Sequence, residues 1–501
     1  MEEQDLTRKS LNSYQSKSQS KDNLLSLSRE QSKNSKNTQL AFLTSSNETH
    51  DNTTDTNASI SSEMSSDDFS SIDPEHHIIS KNQIESNDRQ ARAGFLVTVF
   101  RLLNTQLGAG ILSIPATFVN SGILISILLL FLMMLISDGC TNIVLYLSKE
   151  TNEDGLSNLT LKILKKPGSI ILSVLNLIFL SSALVAYLIL GGDMITSWFD
   201  LGGIDITSRM KHALMILIYS VCIPIALTIP KSSKVLNVIA SASIFSILYF
   251  VFALLVKCIL YGKSHHGMNP SCCLWKFDIS FFSSLSIYGL TYALPAVVLS
   301  NVKDYDPSLK KRKIAAFLSI ISAFILVTIP GITGYMIFGE MTDGNILNNF
   351  DSNDIVIIIC RIAFFVIVSS VYPIVSQQVM SLWSHIVFKT DDQNKLVNWK
   401  RAIVIILNSI CPLVIAMFIP TAKPILAIGG AFGGCLVDFI FPSLMFIVYE
   451  MKINGNKNNY KWYSPKFIAL YLCILFGAVT AVFATYQSVI EAIDSLKKVK
   501  N

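Results

Sequence analysis

Charge is scarce in this sequence. Asp, Glu, Lys and Arg supply 15% of its 501 residues, hydrophobic residues supply 51%, and the formal net charge is only +5. A surface in water needs more charge than that, so the composition is that of a polytopic membrane protein; the small net charge says little by itself, and no nucleic-acid partner is expected. Zinc spacing is missing too. The nine cysteines (Cys140, Cys222, Cys258, Cys272, Cys273, Cys360, Cys411, Cys435, Cys473) fall mostly inside apolar runs and show no metal-site pattern. The vicinal pair Cys272-Cys273 lies in a polar loop, where a disulfide and an unpaired thiol are both open. Gly429–Gly434 lacks the Lys-Ser/Thr of a phosphate loop and reads as close helix packing. With no nucleotide loop, metal-ligand cluster or soluble catalytic domain, no enzyme and no cofactor are expected. Nor does the start, Met1-Glu2-Glu3-Gln4-Asp5, read as a cleavable secretory signal.

What the chain does have is apolar length, with a mean hydropathy of +0.49. Apolar runs lie at about 96–119, 122–147, 169–198, 212–229, 235–261, 279–301, 314–338, 354–388, 400–420, 423–449 and 466–488. A hydrocarbon core of about 30 Å takes about 20 helical residues to cross, so these eleven runs predict an all-α membrane protein of eleven transmembrane helices over residues 93–490. Residues 1–92 are rich in Ser, Asn, Gln and Asp and cannot offset the entropy of ordering, so a disordered tail is expected there. Its runs of serine and acid read as solvated linker or as phosphorylation sites. Asn47, Asn52 and Asn57 fit the glycosylation pattern, which matters only for a lumenal tail.

Orientation follows from basic residues in the short loops. With the N-terminus inside, the inner loops hold Lys149, Lys162, Lys165 and Lys166; Lys231 and Lys234; Lys303 and the run Lys310-Lys311-Arg312-Lys313; Lys389, Lys395 and Lys400; and Lys452, Lys457, Lys461 and Lys466. The outer loops hold only Arg209, Lys211, Lys263, Lys276 and Lys423. The tail is therefore expected in the cytosol, where it is open to cytosolic partners. An odd number of crossings puts the short C-terminus, 491–501, on the other side.

The stretch Asn104-Thr105-Gln106-Leu107-Gly108-Ala109-Gly110-Ile111-Leu112-Ser113-Ile114-Pro115 sits within the first run. A plain membrane anchor has no use for two amides, two glycines and a proline at its centre. Gly-Ala-Gly loosens a helix and Pro115 removes an N–H, so backbone groups are left bare inside the membrane. Such groups persist only where protein, water or a polar solute pairs them. A packing kink seating a neighbouring helix is the plain alternative. The sixth run is interrupted in the same way at Tyr288-Gly289-Leu290-Thr291-Tyr292-Ala293-Leu294-Pro295. An offset of five crossings reverses direction, so runs 1–5 and 6–10 read as inverted copies with paired broken helices, the pattern of a transporter site between two repeats. Kinked helices of a channel or receptor also fit the pair by itself.

Four stretches in register resemble the amino acid/auxin permease family, which includes the sodium-coupled neutral and the vacuolar amino acid transporters. They are Asn104 to Pro115; Ala186-Tyr187-Leu188-Ile189-Leu190-Gly191-Gly192-Asp193; Arg361-Ile362-Ala363 with Tyr372-Pro373; and Pro424 to Gly434 with Pro442. The resemblance covers about residues 93–490 and implies a LeuT-type 5+5 inverted repeat with helices 1 and 6 broken. Two departures stand out: the sixth run lacks the family's Cys-His-Pro, and Gln377-Gln378 stand where many relatives carry arginine.

The resemblance also implies a sodium site between the first and eighth spans, with Asn104, Ser369 and Ser370 as oxygen ligands of a hard cation. A bond from either serine to its own helix is the alternative. An amino-acid carboxylate would sit on N–H groups of Leu107, Gly108, Ala109 and Gly110 at a half-helix N-terminus. Its ammonium would meet carbonyls near Tyr288 and Gly289, with Tyr288 or Tyr292 capping the side chain; plain packing of either tyrosine is the alternative. Asp138 and Asp438 are the deepest carboxylates and candidate proton relays, while Asp193 and Arg361 stand where gating pairs or structural salt bridges form. No histidine lies in the first span, where some proton-coupled relatives carry one, so sodium leads the proton as coupling ion. The expectation is a carrier that moves neutral amino acids across a plasma, lysosomal or vacuolar membrane by cation-coupled alternating access. A sensor of the same fold, signalling through its tail, is the alternative.

Overall fold

The computed structural model describes residues 94–204, 208–230, 234–388, 396–454 and 463–498. The expected tail with its modification motifs, and Lys231, Lys389, Lys395, Lys457 and Lys461, lie outside the described residues. The first apolar run does not stay helical. Helix α1 (Phe95–Leu107) stops at Gly108, whose φ of 41° and ψ of −148° suit a residue without a side chain. A 3₁₀ turn, Ala109–Ser113, follows. Helix α2 (Ile114–Ser121) then restarts with Pro115 in its first turn, where the missing N–H breaks no helical bond, and the two halves are bent by 46°.

Beyond this break come α3 (Ile123–Thr151), α4 (Leu156–Leu201), α5 (Arg209–Ser220, carried through a π turn to Thr228) and α6 (Lys234–His265). Next are α7 (Phe281–Thr291), α8 (Val298–Val302), α9 (Leu309–Phe338), α10 (Ile355–Phe388) and α11 (Asn398–Phe418). The chain ends with α12 (Ala422–Gly430), a π-helical stretch Ala431–Ile440, α13 (Phe441–Asn454) and α14 (Pro465–Lys498). Among the described residues every one of these elements is helical, with no strand.

Nine of the described helices are long and apolar enough to cross a membrane, and the bent α1–α2 pair makes a tenth. The run expected at 279–301 is not a continuous helix: α7 and α8 flank six irregular residues, 292–297, around Pro295. The run expected at 169–198 belongs to the longer α4, which bends at Lys165 (φ 64°) just before Pro167, leaving a short helical arm in front. The last run outlasts its hydropathy, and α14 continues to Lys498 through most of the expected C-terminal extension. Cys272 and Cys273 are both free thiols.

Burial follows the helical period. On α3, Leu130, Met133, Cys140 and Val144 are buried while Leu124, Leu128, Phe131 and Leu135 are exposed. An outer face of large apolar side chains is what hydrocarbon, not water, accommodates. At the centre, α4 packs on α10 and α12, and α7 packs on α2 and α12. The π-helical stretch also approaches α7 closely. A Cβ on Gly434 would lie 2.3 Å from the carbonyl carbon of Gly289, so these backbones touch with nothing between them.

Candidate functional site

Where α1 ends at Gly108, the carbonyl end of one helix meets the N–H end of the turn that follows. Leu107, Gly108 and Gly110 wall a chamber of about 70 Å³ in the interior. Leu290, Thr291, Ala293 and Val297, from the interrupted segment between α7 and α8, wall the same chamber. The rest is closed by Phe179, Tyr187 and neighbours on α4, by Val375 and Gln378 on α10, and by Leu426 on α12. No Asp, Glu, Lys, Arg or His is among its lining residues. A larger vestibule of about 310 Å³ shares Thr105, Tyr187, Val375 and Gln378 with the chamber and runs to Arg101 and Asp304, which form an ion pair of 3.2 Å. The vestibule reaches the size of an ordinary ligand pocket, at least about 300 Å³, and the inner chamber is contracted well below it.

Gly108 is held tightly. A Cβ there would meet the Tyr187 hydroxyl at 3.1 Å. Ala109 continues the backbone of the turn between them. Tyr288, Gly289 and Tyr292 line neither chamber nor vestibule. Tyr288 and Tyr292 are both fully buried, and the Tyr288 hydroxyl accepts from Thr117 Oγ1 at 2.9 Å. The carbonyls of Tyr288 and Gly289 each accept the Tyr292 N–H at 3.2 Å, and that of Leu290 accepts the Ala293 N–H at 3.2 Å.

The three candidate sodium ligands bond to three different elements. Asn104, in the vestibule wall, accepts at Oδ1 from Ser243 Oγ of α6 (2.5 Å). Ser369 Oγ shares a hydrogen bond of 3.0 Å with the Tyr219 hydroxyl of α5, and Ser370 Oγ donates to the Ile367 carbonyl of its own helix (3.0 Å). Each of these oxygens carries two lone pairs.

At the end of the bundle away from Arg101, the α9–α10 connection (339–354) is strapped down. Ser113 Oγ donates to the Gly344 carbonyl (2.6 Å), and Arg361 Nη2 donates to the carbonyls of Leu347 (2.9 Å) and Phe350 (3.1 Å). Asp193 pairs with His212 Nε2 (3.1 Å) and accepts from Asn345 Nδ2 (3.3 Å), so Asp193 and Arg361 take separate partners. Asp343 accepts the Asn345 N–H at 2.9 Å. Burial pushes its carboxyl above the ordinary carboxylate range; the Asn345 N–H opposes the rise and the charge of Asp193 adds to it.

Tyr187, Thr291 and Gln378 were not among the residues predicted for the site. A signal existed for two of them: Tyr187 stands inside a family-like stretch, and Gln378 is one of the departures from the family pattern. Thr291 had none beyond its place in an interrupted run.

A helical, lipid-facing molecule that keeps two segments unwound around an interior chamber has the build of a multi-pass membrane transport protein. Residues 91–490 match the family model described as transmembrane amino acid transporter protein, and the chain belongs to that family, the amino acid/auxin permeases. It is 23% identical over 445 residues to the sodium-coupled neutral amino acid symporter 2 of Danio rerio, covering 81% of this chain and 85% of that protein. It is 22% identical over 429 residues to vacuolar amino acid transporter 2 of Saccharomyces cerevisiae, covering 82% and 86%. Against vacuolar amino acid transporter 5 of Schizosaccharomyces pombe it is 22% identical over 407 residues, covering 79% and 92%.

Proposed function

We propose that this protein is a secondary active transporter of neutral amino acids working by cation-coupled alternating access, on a LeuT-type fold of eleven crossings in two inverted sets of five. The observation that carries the reading is the shared chamber: Gly108 and Gly110 from one interrupted segment face Thr291 and Ala293 from the other across one small space. Interrupted helices present backbone dipoles of both signs, which answer a carboxylate and an ammonium together. A lining without charged side chains leaves nothing to pair with a charged substrate side chain, so the cargo is neutral. The name of the Danio rerio symporter carries this substrate class, and those of the two vacuolar relatives say amino acid.

In this reading the tail is cytosolic, the vestibule beside Arg101 and Asp304 opens inward, and the strapped end is the closed outer side. The substrate sits against Leu107, Gly108, Ala109 and Gly110, with the α7–α8 break opposite. Sodium, held by Asn104, Ser369 and Ser370, is the leading coupling ion, and the proton is the alternative. The cation drives transport through unequal affinity for the two states. A vacuolar membrane fits the names of two relatives, and a plasma or lysosomal membrane is the alternative. The relatives' names give no support to a sensor. The test is uptake into proteoliposomes of radiolabelled alanine, serine, glutamine, leucine, lysine and glutamate under imposed sodium or proton gradients. Saturable, gradient-driven accumulation of the neutral members is expected; unitary currents without accumulation would identify a channel instead.

A further inference from the structure

One buried carboxylate has no part in the site described so far. Asp438 lies in the π-helical stretch after α12, is 0% exposed, and accepts the backbone N–H of Ala296 at Oδ1 (2.6 Å). Its second oxygen, Oδ2, is buried and has no hydrogen-bond partner. The titratable groups that face it are thiols, Cys140 from α3 and Cys435 on its own stretch, with Cys473 from α14 beside Cys140. Cys140 and Cys473 lie 4.0 Å apart beside the Phe439 carbonyl. On the other elements packed against this stretch, several titratable groups are engaged elsewhere, Lys423 of α12 with Glu491 of α14 among them. Tyr288, at the end of α7, bonds to Thr117; Lys162 and Asp193 of α4 pair with Glu153 and His212; Lys452 of α13 donates to the Ile163 carbonyl. Asp138 of α3 accepts from Asn142.

A carboxylate anion in a low-dielectric interior needs a counter-charge or several donors, and Asp438 has one N–H. A neutral carboxylic acid needs far less, and its proton has an obvious seat on the unpartnered oxygen. We propose that Asp438 is a proton-binding site, occupied in this conformation, that ties the protonation state of the protein to the shape of the α7–α8 break. The tie is mechanical. Ala296 sits inside the break, next to Val297 of the chamber wall. The break is pinned at its start by Ser137 Oγ, which donates to the Tyr292 carbonyl (2.7 Å), and at its end by Asp438. The Gly434–Gly289 contact leaves no slack between the π-helical stretch and α7. When the proton leaves Oδ2 for water, the anion demands further donors, which means water or rearranged N–H groups at the break. Proton occupancy and break geometry therefore bias each other reciprocally.

The consequence for transport rests on the carrier reading above; the protonation does not, and the experiment separates them. Infrared difference spectra of the full chain in liposomes, taken between neutral and alkaline pH, report the carbonyl stretch of a protonated carboxylic acid. Wild type should show this band at neutral pH, and Asp438→Asn should lose it. If Asp438→Asn does not fold, Asp438→Glu serves, and its band should move in frequency and titration midpoint. A wild type without the band at neutral pH, or a variant whose band matches wild type, overturns the assignment whatever the protein carries. In the transport arm, the dependence of radiolabelled alanine uptake on pH should flatten in Asp438→Asn, and a pH profile equal to that of wild type overturns the link to the break. If wild type moves no amino acid at all, the carrier reading fails while the infrared result still decides the proton site.

Discussion

Asn104 is the residue on which the assignment of the coupling ion turns. It lines the vestibule beside Thr105, and its amide oxygen already accepts from Ser243. A carboxamide oxygen with a hydroxyl at its side is a fair start for a sodium shell but short of the six or so oxygens a hard cation takes. Asn104→Ala should lower apparent sodium affinity at least several-fold with the neutral amino acid held constant. Uptake with an unchanged sodium dependence removes Asn104 from the shell. Asp343 makes a different prediction, about stability. Its carboxyl titrates above the value it has in an unfolded chain. The folded state thus holds the proton more tightly, and its stabilising share is full below the ordinary carboxylate value of about 4 and lost as pH rises through the raised folded value. Asp343→Asn keeps an acceptor for the Asn345 N–H and drops the buried charge. Its melting temperature relative to wild type should therefore climb from acid to neutral pH. A difference that is flat across pH would show that the charge costs the fold nothing.

At the scale of elements, the bundle is held by helices brought into backbone contact and opened by helices that fail. The π-helical stretch shows the first. A methyl on Gly434 would meet the carbonyl carbon, oxygen and Cα of Gly289 at 2.3, 2.6 and 2.8 Å, and backbone cannot swing aside as a side chain can. Gly434→Ala should lower stability by about 1–3 kcal/mol, the usual cost of overpacking. Gly139, where an added methyl would meet nothing within 4 Å, is the control. Gly139→Ala should be neutral or gain up to about 1 kcal/mol from helix propensity alone. Thermal melts of both variants in detergent decide it, and an undamaged Gly434→Ala would mean that α7 can shift. The interrupted segments show the second behaviour. Each breaks where Gly or Pro removes helical support, and each presents a wall to the same chamber.

For the whole molecule, the prediction concerns the chain outside the described residues. A carrier needs only its bundle, so deletion of residues 1–92 should leave neutral amino acid uptake intact when normalised to protein in the membrane. A protein that exists to signal through its tail would lose its downstream output instead, with uptake as a side property. Much of this division was legible in the composition. Hydropathy placed most helices, because a crossing in lipid must be apolar for about 20 residues and little else in a chain is. Helix ends were less legible: α4 begins at Leu156 and α14 runs to Lys498 because hydrogen bonding continues past the edge of the apolar run.

The sequence by itself determined that the chain lives in a membrane, that its first and sixth apolar runs break, and that Leu107 to Gly110 lie at the first break. These are local consequences of side-chain polarity and of glycine and proline stereochemistry, and no partner is needed to produce them. Which residues face one another across the chamber was decided only in three dimensions. Tyr187, Thr291 and Gln378 arrive from three separate parts of the chain, while Tyr288 and Tyr292 turn away into packing. Helical phase at a break depends on how many residues the irregular stretch absorbs, and that number is set by the neighbouring helices. Asp438 belongs to the same class: the sequence shows a carboxylate in an apolar run, and only the fold brings Ala296 to it and leaves its second oxygen bare.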